Sequence, residues 1–284
     1  MSAHTTKGPM SKTTSHRALT AASAVALALA LTLHASAGAQ DAQQPCPNEA
    51  QAPISGTAGP ETLNGTPQSD RILAGEGDDV VSGLQGDDCL RGGGGFDEIA
   101  GGAGSDDIFG EAGPDDLSGG ADGDRLFGGE GFDFLSGGLG NDRLNGEDGP
   151  DDINGGRGSD TIDGGEGIDY AEGGLGDDRI DGGDDSDRLS GGDGRDRLFG
   201  DAGHDRLSGG LDGDRLSGGA GNDRIDGGDG RNVYIGCSGN DVIDAANGSV
   251  ESISCGTGRD VVRADGRDRV RDCERVFRLD LVRR

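Results

Sequence analysis

The sequence predicts an all-β fold: a parallel β-roll, or β-solenoid, of 21 nine-residue repeats with two repeats per coil. Three observations predict it. Units of nine begin at Gly56 and run to Asp244 without insertion or deletion. The sixth position of the unit is Asp in 19 of the 21 copies, the exceptions being Glu61 and Asn232. The eighth is Val, Ile or Leu in 19 copies, the exceptions being Ala171 and Tyr234. Two columns held in one phase over so many copies are the mark of a stacked, quasi-one-dimensional fold. Composition alone would argue otherwise. A chain with 60 Gly, 3% aromatic residues and a net charge of −29 is what disordered segments look like. Disorder, however, needs no register.

Residues 1–39 read as a secretory leader. Lys7, Lys12 and Arg17 make a basic start, Ala18 to Leu33 is an apolar run short for a membrane span, and Ala37-Gly38-Ala39 fits the small-residue cleavage rule. An N-terminal membrane anchor is the alternative. After removal of the leader no other stretch is apolar enough to cross a bilayer. Residues 40–55, rich in Gln, Pro and Ala, form a loose N-terminal lead-in that Cys46 could tie down.

The roll itself spans 56–244. Its first units are worn, with Glu61 in the Asp column and Gly65-Thr66-Pro67-Gln68 in place of the Gly-rich turn, as expected where a solenoid caps itself. In the central units positions one, two and four are mostly Gly, which takes positive φ without steric cost and so marks a tight turn. Positions seven to nine carry one aliphatic between mainly polar residues, the pattern of a short strand with one inward side chain. Turn plus strand is half a coil. Two units close an 18-residue coil, and 21 units give a body about 50 Å long at a strand spacing of about 4.8 Å. Residues 245–254 read as an out-of-register insert, and Cys255-Gly256-Thr257-Gly258-Arg259-Asp260-Val261-Val262 as one more degenerate unit. The stretch 245–284 is thus a degenerate repeat with an Arg-rich C-terminal cap, its Arg side chains facing the acidic roll; a free basic tail is the alternative.

Residues 18 apart stand over one another, so the Asp positions form two columns. One is Asp70, Asp88, Asp106, Asp124, Asp142, Asp160, Asp178, Asp196 and Asp214; the other is Asp79, Asp97, Asp115, Asp133, Asp151, Asp169, Asp187, Asp205, Asp223 and Asp241. Stacked like charges at strand spacing are unfavourable unless a cation lies between them. Ca²⁺ fits the donors on offer, because it takes six to eight oxygens and accepts backbone carbonyls from irregular turns. Mg²⁺ demands a stricter octahedron and holds its water. Zn²⁺ prefers nitrogen and sulfur, and His204 is the one histidine beyond the leader. With a core of one aliphatic per nine residues, the ion supplies folding free energy, and binding and folding become one equilibrium. Turn propensity explains an Asp here and there, not a column.

The units resemble the Gly-Gly-x-Gly-x-Asp-x-aliphatic-x nonapeptide of RTX, or haemolysin-type, calcium-binding proteins; Gly137-Gly138-Leu139-Gly140-Asn141-Asp142-Arg143-Leu144-Asn145 is a clear copy. The resemblance implies a parallel β-roll in which the first six residues form a calcium-binding turn and the last three a strand, with the 19 Asp residues named above as side-chain ligands. Glu61 and Asn232 are doubtful sites. Asp122, Asp185 and Asp212, in place of the position-four Gly, read as left-handed turn variants rather than extra ligands.

Other patterns are weaker. Cys237, Cys255 and Cys273 lie one coil apart, with Cys255–Cys273 the preferred disulfide and Cys237–Cys255 its rival; Cys89 faces outward and could pair with Cys46. Arg at position seven, nine times over, reads as a solvated face offsetting nearby Asp, with a polyanion site as the alternative. Phe109 and Phe127 should stack one coil apart. His204 stands alone, and no nucleophile elbow, His pair or phosphate loop is present, so catalytic residues are not expected. The acidic excess repels nucleic acid and anionic membrane. The expectation is a secreted, extracellular, non-enzymatic protein that binds several Ca²⁺ ions and serves as a structural or adhesion module toward a cell-surface polysaccharide or protein. An extracellular hydrolase or toxin-related protein using the roll as scaffold is the alternative.

Overall fold

The computed structural model describes residues 52–279. The expected leader, Cys46 and most of the lead-in lie outside the described residues. Within them the chain winds into two parallel sheets of 13 strands each, and successive strands alternate between the sheets. Every neighbour in a sheet is therefore one coil away: Arg143 pairs with Thr161, Leu144 with Ile162 and Asn145 with Asp163. At about 4.8 Å per coil, thirteen coils measure about 60 Å. Among the described residues no helix is long and apolar enough to cross a membrane.

The strands are longer than the three residues expected. Thr161–Glu166, reading Thr-Ile-Asp-Gly-Gly-Glu, runs from position seven of one unit through position three of the next. The ladder passes through the glycines, Gly165 pairing with Gly183 although its φ is +108°. Two positions per strand point inward. Position eight places Ile72, Leu90, Ile108, Leu126 and their successors in one file and Val81, Ile99, Leu117 and Leu135 in the facing file, all buried. Position one, the other inward site, is nearly always Gly, as at Gly137 and Gly155. The core is thus two files of aliphatic side chains, with Tyr234 and Ala171 in the same files.

Both sheets continue beyond Asp244. The coil after Val233 is one residue longer than the rest, pairing Val233 with Ser252, and the next is one shorter, pairing Ser252 with Arg269. Segment 245–254 is absorbed as this longer coil. A disulfide joins Cys255 to Cys273, with a Cα–Cα distance of 5.2 Å, while Cys237 is a free thiol. Arg263 Nη1 meets Asp244 Oδ2 at 2.6 Å, and Arg278 Nη1 donates to the Asp265 carbonyl at 2.8 Å.

Outside the core, Phe109 and Phe127 stack with ring centroids 5.0 Å apart. They form a second cluster with Cys89, and all three are buried. Cys89 therefore points away from the roll core, as expected, but is not solvent-exposed. It is disulfide-bonded; the expected partner Cys46 falls outside the described residues.

Candidate calcium-binding columns

Each position-six Asp lies at the mouth of its turn with its side chain directed inward, and all 19 predicted residues from Asp70 to Asp241 are buried. The backbone N–H of each donates to Oδ1 of the residue one coil later: Asp106 to Asp124, Asp124 to Asp142 and Asp142 to Asp160, each at 2.8 Å. The second column repeats this from Asp79 through Asp97 to Asp223 and Asp241. Each carboxylate is thereby fixed in rotation by a hydrogen bond to one oxygen.

The other oxygen is left over. Oδ2 of Asp79, Asp88, Asp97 and each later member through Asp241 is buried without a hydrogen-bond partner. An orphaned carboxylate oxygen in a dry interior is expensive. The glycines show what it faces. A Cβ built on Gly155 would lie 2.6 Å from Asp160 Oδ2 and 2.7 Å from the Gly173 carbonyl oxygen; at Gly137 the distances are 2.5 Å to Asp142 Oδ2 and 2.6 Å to the Gly155 carbonyl oxygen. Carboxylate and carbonyl oxygens thus converge on the space that a side chain at position one would fill. Position-one glycine is explained by this crowding. The turn conformation is carried by positions two and four, where Gly156 and Gly158 have φ of +101° and +147°. Asp122, Asp185 and Asp212 at position four take φ of 78°, 73° and 68°, the left-handed variants expected.

The electrostatics match. Burial, with like-charged neighbours adding, pushes the carboxyls of Asp124, Asp151 and Asp187 up to about 8 and that of Asp106 to about 7, against the opposing pull of the backbone N–H each accepts. These groups resist carrying charge in so dry a column unless a cation joins them.

The donor set fits a hard, oxygen-seeking cation. Among the described residues no three His, Cys, Asp or Glu side chains gather into a metal-binding group. Successive carboxylates would have to be completed by carbonyls, as Ca²⁺ accepts and Zn²⁺ does not. The residues that would hold Ca²⁺ are the position-six Asp from Asp79 to Asp241, with position-one carbonyls such as those of Gly155 and Gly173. The ion would supply the positive charge that lets stacked carboxylates stay ionised.

The ends differ. Asp70 Oδ2 is satisfied by Thr66, whose N–H and Oγ1 lie at 2.5 and 2.8 Å, and Glu61 Oε2 accepts the Thr57 N–H at 2.8 Å. Asn232 replaces a carboxylate, and near it Tyr234 Oη and the Nδ2 atoms of Asn232 and Asn247 surround Glu251 Oε1 at 2.8–3.4 Å. Sequence reasoning missed that the columns continue. Asp241 N–H donates to Asp260, Asp260 to Glu274, and Glu251 to Asp268. Asp260 was detectable, being the sixth residue of the degenerate unit; Glu251 and Asp268 were hidden by the irregular coil lengths.

The family model for the RTX calcium-binding nonapeptide repeat (4 copies) matches this chain in overlapping segments that together run from residue 55 to residue 243. No curated protein matches the chain. A solved structure similar to it is that of a hyperactive, Ca²⁺-dependent, β-helical antifreeze protein from an Antarctic bacterium, with 20% identity, coverage of 74% of this chain and 78% of that one, and a TM-score of 0.48. A match over two-thirds of the residues, falling on the repeats whose Asp columns and glycine cradles are described above, places this chain in the RTX calcium-binding nonapeptide-repeat family.

Proposed function

We propose that this calcium-binding roll is a secreted, non-enzymatic module whose folding is driven by Ca²⁺ and which serves outside the cell as a stiff spacer or adhesion element. The carrying observation is the file of buried, unpartnered Oδ2 atoms from Asp79 to Asp241. Such a file is costly without cations and rigid with them, so ion supply controls whether the rod exists. Millimolar extracellular calcium suits sites of this kind. The basic start and apolar run of residues 1–39 support export. A non-enzymatic role is supported by an interior filled with aliphatic files and Asp columns, and by an isolated His204 whose Nδ1 accepts the Asn222 N–H in a turn ladder. Circular dichroism of the chain with calcium and with chelator tests the reading. A β-rich spectrum in calcium and a disordered one in chelator is the expected result; identical folded spectra would sink it.

A further inference from the structure

The outer faces of the two sheets are not alike. On the second sheet, strands Arg188–Asp193, Arg206–Leu211 and Arg224–Gly228 lie side by side. Their register sets Arg188 opposite Arg206 and Arg206 opposite Arg224. All three are exposed, and among the described residues none forms an ion pair. Two residues along, Ser190 stands opposite Ser208, with Glu172 and Asp226 at the two ends of that row; in the preceding turns stand Ser186, His204 and Asn222. At one end Tyr170 is in register with Arg188, whose guanidinium lies 5.5 Å from the ring centroid. The first sheet carries a similar row, Arg179, Arg197 and Arg215 in register, but there Arg179 pairs with Asp181 at 3.0 Å and lies over the Phe199 ring.

Three guanidinium groups one strand apart repel, as like charges on facing positions do. Inside the roll the same arrangement of carboxylates is matched to a cation. Outside, charge complementarity asks for a ligand with negative charges at the same interval. A linear polysaccharide advances by roughly one strand spacing, about 4.8 Å, per sugar ring. Guanidinium groups bind carboxylate and sulfate bidentately, a tyrosine ring offers a stacking platform, and serine and asparagine suit sugar hydroxyls. The net charge of −29 opposes any polyanion, but about fifteen divalent ions cancel it.

We propose that the face formed by Arg188, Arg206, Arg224, Ser190, Ser208 and Tyr170 docks a linear anionic polysaccharide bearing about one charge per sugar ring, and does so in the calcium-loaded state. This rests on the calcium-driven adhesion reading above and names its partner. The test is surface plasmon resonance of the full chain over immobilised chondroitin sulfate, in calcium and in chelator, with circular dichroism of the same samples. Binding is expected in calcium alone. The Arg188→Gln, Arg206→Gln, Arg224→Gln triple variant should bind roughly tenfold or more weakly, with a shallower salt dependence and an unchanged calcium-folding midpoint. The charge-matched triple on the first sheet, Arg143→Gln, Arg197→Gln and Arg215→Gln, should bind within about twofold of the parent. Equal loss in both triples, equal binding to neutral dextran, or tighter binding to single-stranded DNA or polyphosphate overturns the proposal. If dichroism shows no calcium-dependent folding, the parent reading fails as well; if folding is intact and chondroitin sulfate does not bind, only the docking proposal fails.

Discussion

The backbone N–H of Asp142 donates to Oδ1 of Asp160, one coil further on, at 2.8 Å, while Asp160 Oδ2 is buried with no partner. One oxygen of the carboxylate belongs to the fold and the other is free for a ligand. Substitution can separate the two roles. Asp160→Asn keeps an acceptor for Asp142 and removes the charge. Calcium stoichiometry should fall by roughly one to two ions per chain, because Ca²⁺ draws oxygens from adjoining turns. Asp160→Ala should add about 1 kcal/mol of destabilisation, since the Asp142 N–H loses its acceptor. Metal analysis after gel filtration and calcium-saturated thermal melts read the two effects.

Position-one glycine gives a second prediction. Gly155→Ala places a Cβ 2.6 Å from Asp160 Oδ2 and 2.7 Å from the Gly173 carbonyl. Overpacking of this kind costs about 1–3 kcal/mol, and here it also fills the ion space. Gly266→Ala meets nothing within 4 Å and should leave the melting temperature within about 1 °C of the parent. Comparable losses in the two variants would show that position-one glycine is not there for the close approach.

This distinction also marks how much was legible beforehand. The nine-residue period exposed the aliphatic files and the Asp columns, because each demands one residue type at one phase: Leu144 cannot be polar and Asp142 cannot be apolar. Glycine is ambiguous in sequence. Gly155, crowded by oxygens, and Gly156, at φ +101°, look identical, and by sequence both read as turn residues. Periodicity also fails where coil length varies. Glu251 and Asp268 continue the ladder, but 19 and 17 residues after their predecessors they fall out of phase. The stack of Phe109 on Phe127 is legible from their spacing of one coil, but the burial of both with Cys89 on an outer face is not.

pH should act oppositely on the ion-free and ion-loaded chains. Burial raises the carboxyls of Asp88, Asp106 and Asp124 to about 6, 7 and 8, above the usual carboxylate range. A raised folded-state value means that the roll binds protons more tightly than the unfolded chain. In chelator its stability is therefore greatest below about pH 4 and declines as pH rises from about 4 to 8. With calcium, protons compete for the same oxygens, so the calcium concentration for half-folding should rise as pH falls from 8 to about 5. Ellipticity against pH, with and without chelator, checks both signs. An ion-free chain that gains structure as pH rises would contradict the burial argument.

The Cys255–Cys273 bridge closes a loop spanning one coil at the C-terminal end, and Cys255 is fully buried. By the chain-entropy estimate, a loop of this size contributes about 3 kcal/mol. Reduction should fray the strands Arg269–Arg271 and Arg275–Leu279 first, because each has a neighbour in its sheet on one side only. Hydrogen exchange in calcium should show lost protection there, with the central coils unchanged.

Tyr234 gives the sharpest contrast with the Asp columns. In the other coils the oxygen that takes the backbone N–H has that one partner; here Glu251 Oε1 also meets Tyr234 Oη at 3.4 Å, Asn232 Nδ2 at 3.3 Å and Asn247 Nδ2 at 2.8 Å, while Glu251 Oε2 is buried without a partner. A Cβ on Gly227 would meet Tyr234 Oη and Asn232 Nδ2, where its counterpart at Gly155 meets Asp160 Oδ2. Protein donors thus occupy the place that the repeats keep for oxygens. Tyr234→Phe removes a donor without touching an ion cradle. It should cost about 1–3 kcal/mol in a calcium-saturated melt. The number of ions bound per chain should not change, whereas Asp160→Asn lowers it. A loss of bound calcium in Tyr234→Phe would show that this coil, too, is an ion site.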